Sequence, residues 1–266
     1  MLFTLLFTLL PFLNSYAEEN KAITIPQLSF SSPTSGYRLE IPETILGDRN
    51  GGETDRSGKS FTISAWINMD QYTNNSGSKG NVIMGHGPRV HMNYNGSLVL
   101  ATTETGVLKI ISGASNKVTS VLETSVDLDT WTYLTLVYDN SDFSVSVYKD
   151  GTLVATKNNT QQLELFGDDP CIFFVGGAGF SGFCDEFQFF DRALNSNDVK
   201  QAYSNPQNIS GLTVWYDFNT IEEGSSFTNK VTESDQVNTK ATFYNLTGGQ
   251  TNSDGGYISI TNYTDA

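Results

Sequence analysis

From Phe61 to Asp70 the chain alternates with a repeat of two. Phe61, Ile63, Ala65 and Ile67 fall on one side, and Thr62, Ser64, Trp66 and Asn68 on the other. That is the spacing of a half-buried β-strand. The same repeat predicts strands over 129–140 (DTWTYLTLVYDN) and 143–156 (FSVSVYKDGTLVAT), the second folded into a hairpin at Asp150-Gly151. Shorter runs predict strands at 37–42 (YRLEIP), 81–87 (NVIMGHG), 106–113 (GVLKIISG), 117–124 (KVTSVLET) and 171–177 (CIFFVGG). The segment 89–102 carries a second hairpin signal at Asn95-Gly96.

Residues 182–203 (GFCDEFQFFDRALNSNDVKQAY) change period halfway. Counted in twos, Asp185 shares a face with Phe187 and Phe189, while Glu186 and Gln188 take the other. After Asp191-Arg192 the apolar positions Leu194, Val199, Ala202 and Tyr203 fall near helical spacing, behind Asn195 or Ser196 as N-cap. About ten to twelve strands separated by turns every eight to twelve residues predict an all-β, two-sheet antiparallel sandwich. One short helix near 195–204 completes it.

Composition agrees with an all-β chain: aromatics make up 12% and charged residues only 17%. The formal net charge of −14 disfavours nucleic acid and anionic membranes as partners. It suits calcium binding or solubility alone. The opening MLFTLLFTLLPFLNSYAEEN reads as a leader of residues 1–17 cleaved after Ala17, too short to span a bilayer. It lacks a Lys or Arg before its apolar run. A secreted or cell-surface protein without membrane insertion is the expectation.

Cys171 and Cys184 flank a Gly-rich turn at 176–179, so a hairpin there would set them opposite each other as a disulfide. The alternative is two separate buried thiols. Six N-x-S/T sequons occur, at Asn74, Asn95, Asn158, Asn208, Asn245 and Asn262. His86 and His91 lack a third ligand nearby and make a poor metal site.

Five stretches resemble the laminin G-like, concanavalin A-like jelly rolls in residue pattern and order: SFTISAWINMD, NVIMGHG, WTYLTLVYDN with VSVYKDGTLVAT, FVGG, and FSGFCDEFQFFDRALNSNDVKQAY. The closing stretch is similar to that of the pentraxin-like branch. The resemblance covers about residues 23–206, giving a domain at 18–206. The segment 207–266, with GLTVWYDF at 211–218, resembles the start of a second module, either cut short or packed back on the first. The family hosts lectins, adhesion modules and glycanases.

That resemblance sets the chemistry to look for. Glycanases of this topology carry paired carboxylates as E-x-D-x-E or E-x-D-x-x-E, and neither pattern occurs here. The expectation is therefore no enzyme. Related jelly rolls hold a structural calcium with a last-strand Asp; Asp185 matches that Asp, and Asp48, Glu53 and Asp55 of the acidic loop are further candidate ligands. The alternative for Asp185 is a local cap on backbone N–H groups. Trp66 and Trp131 occupy positions where such domains keep core aromatics. Tyr133, Tyr148, Glu186 and Gln188 are the candidate ligand-binding residues, with Tyr148 otherwise a half-covered rim residue. The leading function is non-catalytic recognition of a glycan or polysaccharide. The second is an extracellular protein-interaction or adhesion module, and the third a glycoside hydrolase.

Overall fold

Fully buried Phe61, Ile63, Ala65 and Ile67 line one side of strand β3 (Phe61–Met69). Leu134, Leu136 and Tyr138 do the same for β8 (Thr132–Asp139). These apolar rows draw the strands into a two-layer sandwich. The computed structural model of the chain describes residues 20–25, 37–42, 59–73, 80–88, 97–112, 118–158, 162–163, 171–177, 179–218, 229–231, 242–245 and 260–263. The expected leader at 1–17, the loop carrying Asp48, Glu53 and Asp55, the turn at Asn95-Gly96, and His91 lie outside the described residues.

The remaining strands are β1 (Asn20–Ile25), β2 (Tyr37–Pro42), β4 (Asn81–Pro88), β5 (Leu98–Thr102), β6 (Val107–Ser112), β7 (Val118–Ser125), β9 (Ser144–Lys149), β10 (Thr152–Asn158), β11 (Cys171–Gly176), β12 (Gly182–Phe190), β13 (Leu212–Tyr216), β14 (Thr242–Asn245) and β15 (Ile260–Tyr263). Helix α1 spans Ser196–Ser204. The first sheet runs β10-β9-β8-β3-β12-β1-β15, with β13 also paired to β12; the second runs β14-β2-β11-β4-β5-β6-β7. Neighbours within both sheets are antiparallel. The all-β sandwich with one short helix is the architecture predicted from the residue pattern.

Between the sheets, Phe61, Phe173 and Phe189 form an aromatic centre, with Phe173–Phe189 centroids 4.5 Å apart and Phe61–Phe173 at 5.0 Å. His86 is fully buried here, its ring 4.7 Å from that of Phe173, so it is a core residue. The described strands of 207–266 pair with strands of this sandwich: β13 with β12, β14 with β2, and β15 with β1.

The turn between β11 and β12 does not make a hairpin. It carries the chain from the second sheet to the first. Gly182, where β12 begins, has φ +142, and a Cβ there would stand 2.0 Å from the backbone oxygen of Asn68. Cys171 opens β11 and Cys184 is the third residue of β12. They are thus offset by roughly three residues, about 10 Å along the strands, in sheets about 10 Å apart. A disulfide needs Cα atoms within about 7 Å. The expected bridge is corrected: Cys184 is a free thiol, fully buried in the inter-sheet core.

A β-bulge in β12 corrects the second expectation. Asp185 pairs with Trp66 and Gln188 with Ser64, so Glu186 and Phe187 together oppose Ala65. Glu186 takes the left-handed conformation, φ 51. The extra residue reverses the alternation. Cys184, Phe187 and Phe189 point into the core, whereas Asp185 does not share their face. It lies on the outer side of the first sheet, with Gln188.

Helix α1 covers part of that outer side. Asn195 caps it, its side chain accepting from the N–H groups of Asn197 and Asp198 at 2.9 and 3.0 Å. Thr62 docks the connection, donating to Arg192 O and accepting from Leu194 N. Leu194, Val199 and Ala202 then pack on Val137, Tyr148 and Phe190, a second apolar cluster outside the main core. The Arg192–Asp198 ion pair, 2.7 Å long, ties the connection to the first turn of the helix.

Candidate functional site

Two rows of side chains stand on the outer face of the first sheet beyond the packed part of the helix. Register places Tyr133, Trp66 and Asp185 side by side on β8, β3 and β12. Two residues further along β3, Asn68 pairs with Phe183, and Trp131 lies just before β8 on the other side. The Trp131 and Phe183 rings are 6.4 Å apart. Tyr203, from the end of α1, closes over the first row, 5.4 Å from Trp66 and 5.5 Å from Tyr133; Trp66 and Tyr133 are themselves 5.5 Å apart. Trp66, Trp131 and Phe183 are half-buried and Tyr203 is 38% exposed.

This arrangement reassigns the candidate ligand residues. Tyr133 is fully buried and donates to Gln188 Oε1 at 2.8 Å, and burial raises its phenol pKa. Gln188 is likewise buried. Tyr148 is buried too and shares a hydrogen bond of 3.2 Å with Ser196 Oγ at the start of α1. Tyr148 and Tyr133 meet the helix at Ser196 and Tyr203, Gln188 supports Tyr133, and all three are too deeply buried to touch a ligand from where they lie. Trp66 and Trp131, expected in the core, stand outside it instead. For Trp66 the signal was available: it alternates with Thr62, Ser64 and Asn68, away from the core row. Tyr203 reaches the site only because the helix folds back, which no local pattern encodes.

Glu186, the fourth candidate, is half-buried and belongs to a neighbouring polar network. Its Oε2 accepts from Trp215 Nε1 on β13. The ammonium of Lys230 lies 4.8 Å from the centroid of the Trp215 ring and pairs with Asp217. Burial raises the Glu186 carboxyl pKa; the Trp215 hydrogen bond opposes this, the negative charge of Asp217 adds to it, and Lys230 opposes it. Asp185 accepts the N–H of Glu186 at 2.7 Å, capping the bulge as the alternative reading had it. Among the described residues no group of three His, Cys, Asp or Glu is arranged to hold a metal ion.

Two outcomes follow. Asp185→Ala removes the bulge cap and lowers stability by about 1–2 kcal/mol. The loss is the same with and without EDTA in thermal melts; a fall in the wild-type melting temperature on adding EDTA, absent in the variant, would instead make Asp185 a calcium ligand. Glu186 titrates above its ordinary value of 4.5 in the folded state, so the protonated form is the one folding favours. Its contribution is complete below about pH 4.5 and is lost as pH rises through the raised folded pKa. Denaturant unfolding across pH 4–8 should show wild type losing stability relative to Glu186→Gln over that window; parallel curves would contradict it.

The fold, as distinct from the site, has known relatives. None of the curated protein sequences compared matches the chain. A structure from Bacteroides ovatus, described as a candidate carbohydrate-binding protein, is similar with TM-score 0.59 and 17% identity over 91% of this chain and 60% of its own. The chain thus spans about 60% of that protein's length. A heptameric SAP-like pentraxin from Limulus polyphemus is similar at TM-score 0.47 and 16% identity, over 73% of this chain and 87% of its own. The CBM40 of a Ruminococcus gnavus IT-sialidase, bound to sialyllactose, is similar at TM-score 0.47 and 13% identity, over 68% and 96%. At 17% identity the likeness to the first is one of fold. The family model of the concanavalin A-like lectin/glucanases matches residues 49–200, more than half the chain. The protein belongs to the concanavalin A-like lectin/glucanase superfamily.

Proposed function

We propose that this protein is a secreted, non-catalytic carbohydrate-binding module that recognises glycan with the outer face of its first sheet. One observation carries the reading: Trp66 and Tyr203, 5.4 Å apart, reach the surface on a sheet face that also presents polar groups. Pyranose rings present C–H faces that stack on aromatic rings, while neighbouring polar side chains bond the hydroxyls. Tyr133, buried beneath, fixes both rings and limits the entropy lost on binding.

The superfamily fold is compatible with this use, and the Bacteroides ovatus structure of the same fold is described as a candidate carbohydrate-binding protein. Because a fold hosts many functions, the weight rests on the rings. Secretion is supported by the apolar opening at 1–17, and no helix among the described residues is long and apolar enough to cross a membrane. The missing E-x-D-x-E pattern supports a non-catalytic role, and Glu186 and Asp217 are engaged by Trp215 and Lys230.

The test is a glycan array followed by titration calorimetry on the polysaccharide bound. Trp66→Ala and Tyr203→Ala each remove one stacking ring, worth about 1–1.5 kcal/mol, and weaken binding roughly five- to tenfold without unfolding the domain. Unchanged affinity in both variants would end the assignment to this face. Binding to no glycan at all would favour the interaction-module reading, for which Leu153, 47% exposed on β10 beside the helix, offers an apolar contact. Reducing ends released from a β-glucan and abolished by a carboxylate substitution would make the protein an enzyme.

A further inference from the structure

The second row on the same face takes no part in holding the helix. Phe183 and Trp131 stand either side of Asn68, their ring centroids 6.4 Å apart, so the two rings bracket the amide. The Oδ1 of Asn68 is buried and makes no hydrogen bond. A polar group left unpaired inside a protein is costly, which marks this amide as one whose full set of partners the chain itself does not supply. Asn68 as a residue is half-buried, at the boundary between the sheet and solvent.

This ring pair continues the Trp66–Tyr203 stacking position. Asn68 is two residues beyond Trp66 on β3, and a step of two along a strand is about 6.8 Å. That step exceeds one sugar ring, so the two positions contact successive units of a chain more readily than one terminal sugar. The rim is acidic. Asp70, Asp127 and Asp129 are exposed at the Asn68 end, with the N–H of Asp129 bonded to Met69 O at 2.8 Å. At the other end Asp150 accepts from Tyr133 N at 2.9 Å, and the adjoining Gly151 backs onto Tyr203. Of the nearby cations, Lys149 is committed to Ser125 O, while Lys200 is exposed beside Gly151. Carboxylates outnumber free cations around both rows, which repels a polymer carrying a negative charge on each sugar.

We infer that Trp131, Phe183 and Asn68 form a second sugar subsite continuous with Trp66 and Tyr203, so that the face takes an internal stretch of an uncharged oligosaccharide. This rests on the glycan-binding reading above and adds to it the length and charge of the ligand. The probes are β-1,3-gluco-, β-1,4-gluco- and β-1,4-manno-oligosaccharides of two and six units, with polygalacturonate as the carboxylated comparator. Calorimetry uses the full chain, and each variant's thermal melt is matched to wild type.

The expected result is that the hexamer of at least one neutral series binds ten times or more tighter than its dimer. Phe183→Ala should abolish that gain while leaving dimer affinity unchanged, Phe183→Tyr should retain it, and polygalacturonate should bind more weakly than the neutral hexamer. Equal affinity for dimer and hexamer, an unaltered hexamer affinity in Phe183→Ala, or preference for polygalacturonate would overturn the second subsite. Those results leave the glycan-binding reading standing as long as Trp66→Ala still weakens the dimer. If no probe binds wild type, or Trp66→Ala binds as wild type does, both readings fall together.

Discussion

A single inserted residue in β12 decides what the first sheet shows to solvent. Strand pairing with β3 continues on both sides of Glu186, so the insertion cannot be absorbed by sliding the strand. It is absorbed by one left-handed residue, at a cost of about 1–3 kcal/mol for a non-glycine. Asp185 reduces that cost by accepting the Glu186 N–H, and the Glu186 carboxylate is held by Trp215 on β13. Beyond the bulge, Phe187 and Phe189 turn to the core and Gln188 and Phe190 turn outward. Without it, Phe187 would leave the core and Phe189 the aromatic centre formed with Phe61 and Phe173.

The outward half of β12 then determines where the helix can sit. Phe190 is too apolar to face water and is covered by Leu194, Val199 and Ala202. Gln188, buried beside it, is satisfied by Tyr133. The helix ends with Tyr203 over Trp66 and Tyr133, leaving Asn68, Phe183 and Trp131 beyond its reach. The outer face is therefore divided into a covered part, which stabilises the fold, and an aromatic part at the boundary with solvent. The same strand supplies both.

Much of this was legible in the residues. The alternation in Phe61–Met69 and Thr132–Asp139 gives two central strands directly, and the change of period after Asp191 gives the helix and its Asn195 cap. A count in twos cannot see a bulge, so it puts Asp185 on the wrong face. The Gly-rich turn before β12 has the composition of a hairpin but crosses between sheets, which is why Cys171 and Cys184 read as partners. Trp66 shows a different kind of miss. The alternation puts it on the polar face, whereas the family resemblance implies a core aromatic at that position. Tyr203 and Tyr133 meet only through tertiary folding, and their contact could not be read from spacing.

The chain has three tryptophans, Trp66, Trp131 and Trp215, so three indole N–H signals report on the face separately. Titrating a 15N-labelled sample with the neutral oligosaccharide that binds most tightly, and following those signals by NMR, locates the ligand. The account predicts that the Trp66 and Trp131 signals move with saturation while Trp215, held by Glu186 and covered by Lys230, stays in place. Movement of Trp215 alone, or of none of the three while binding is measured, would contradict it.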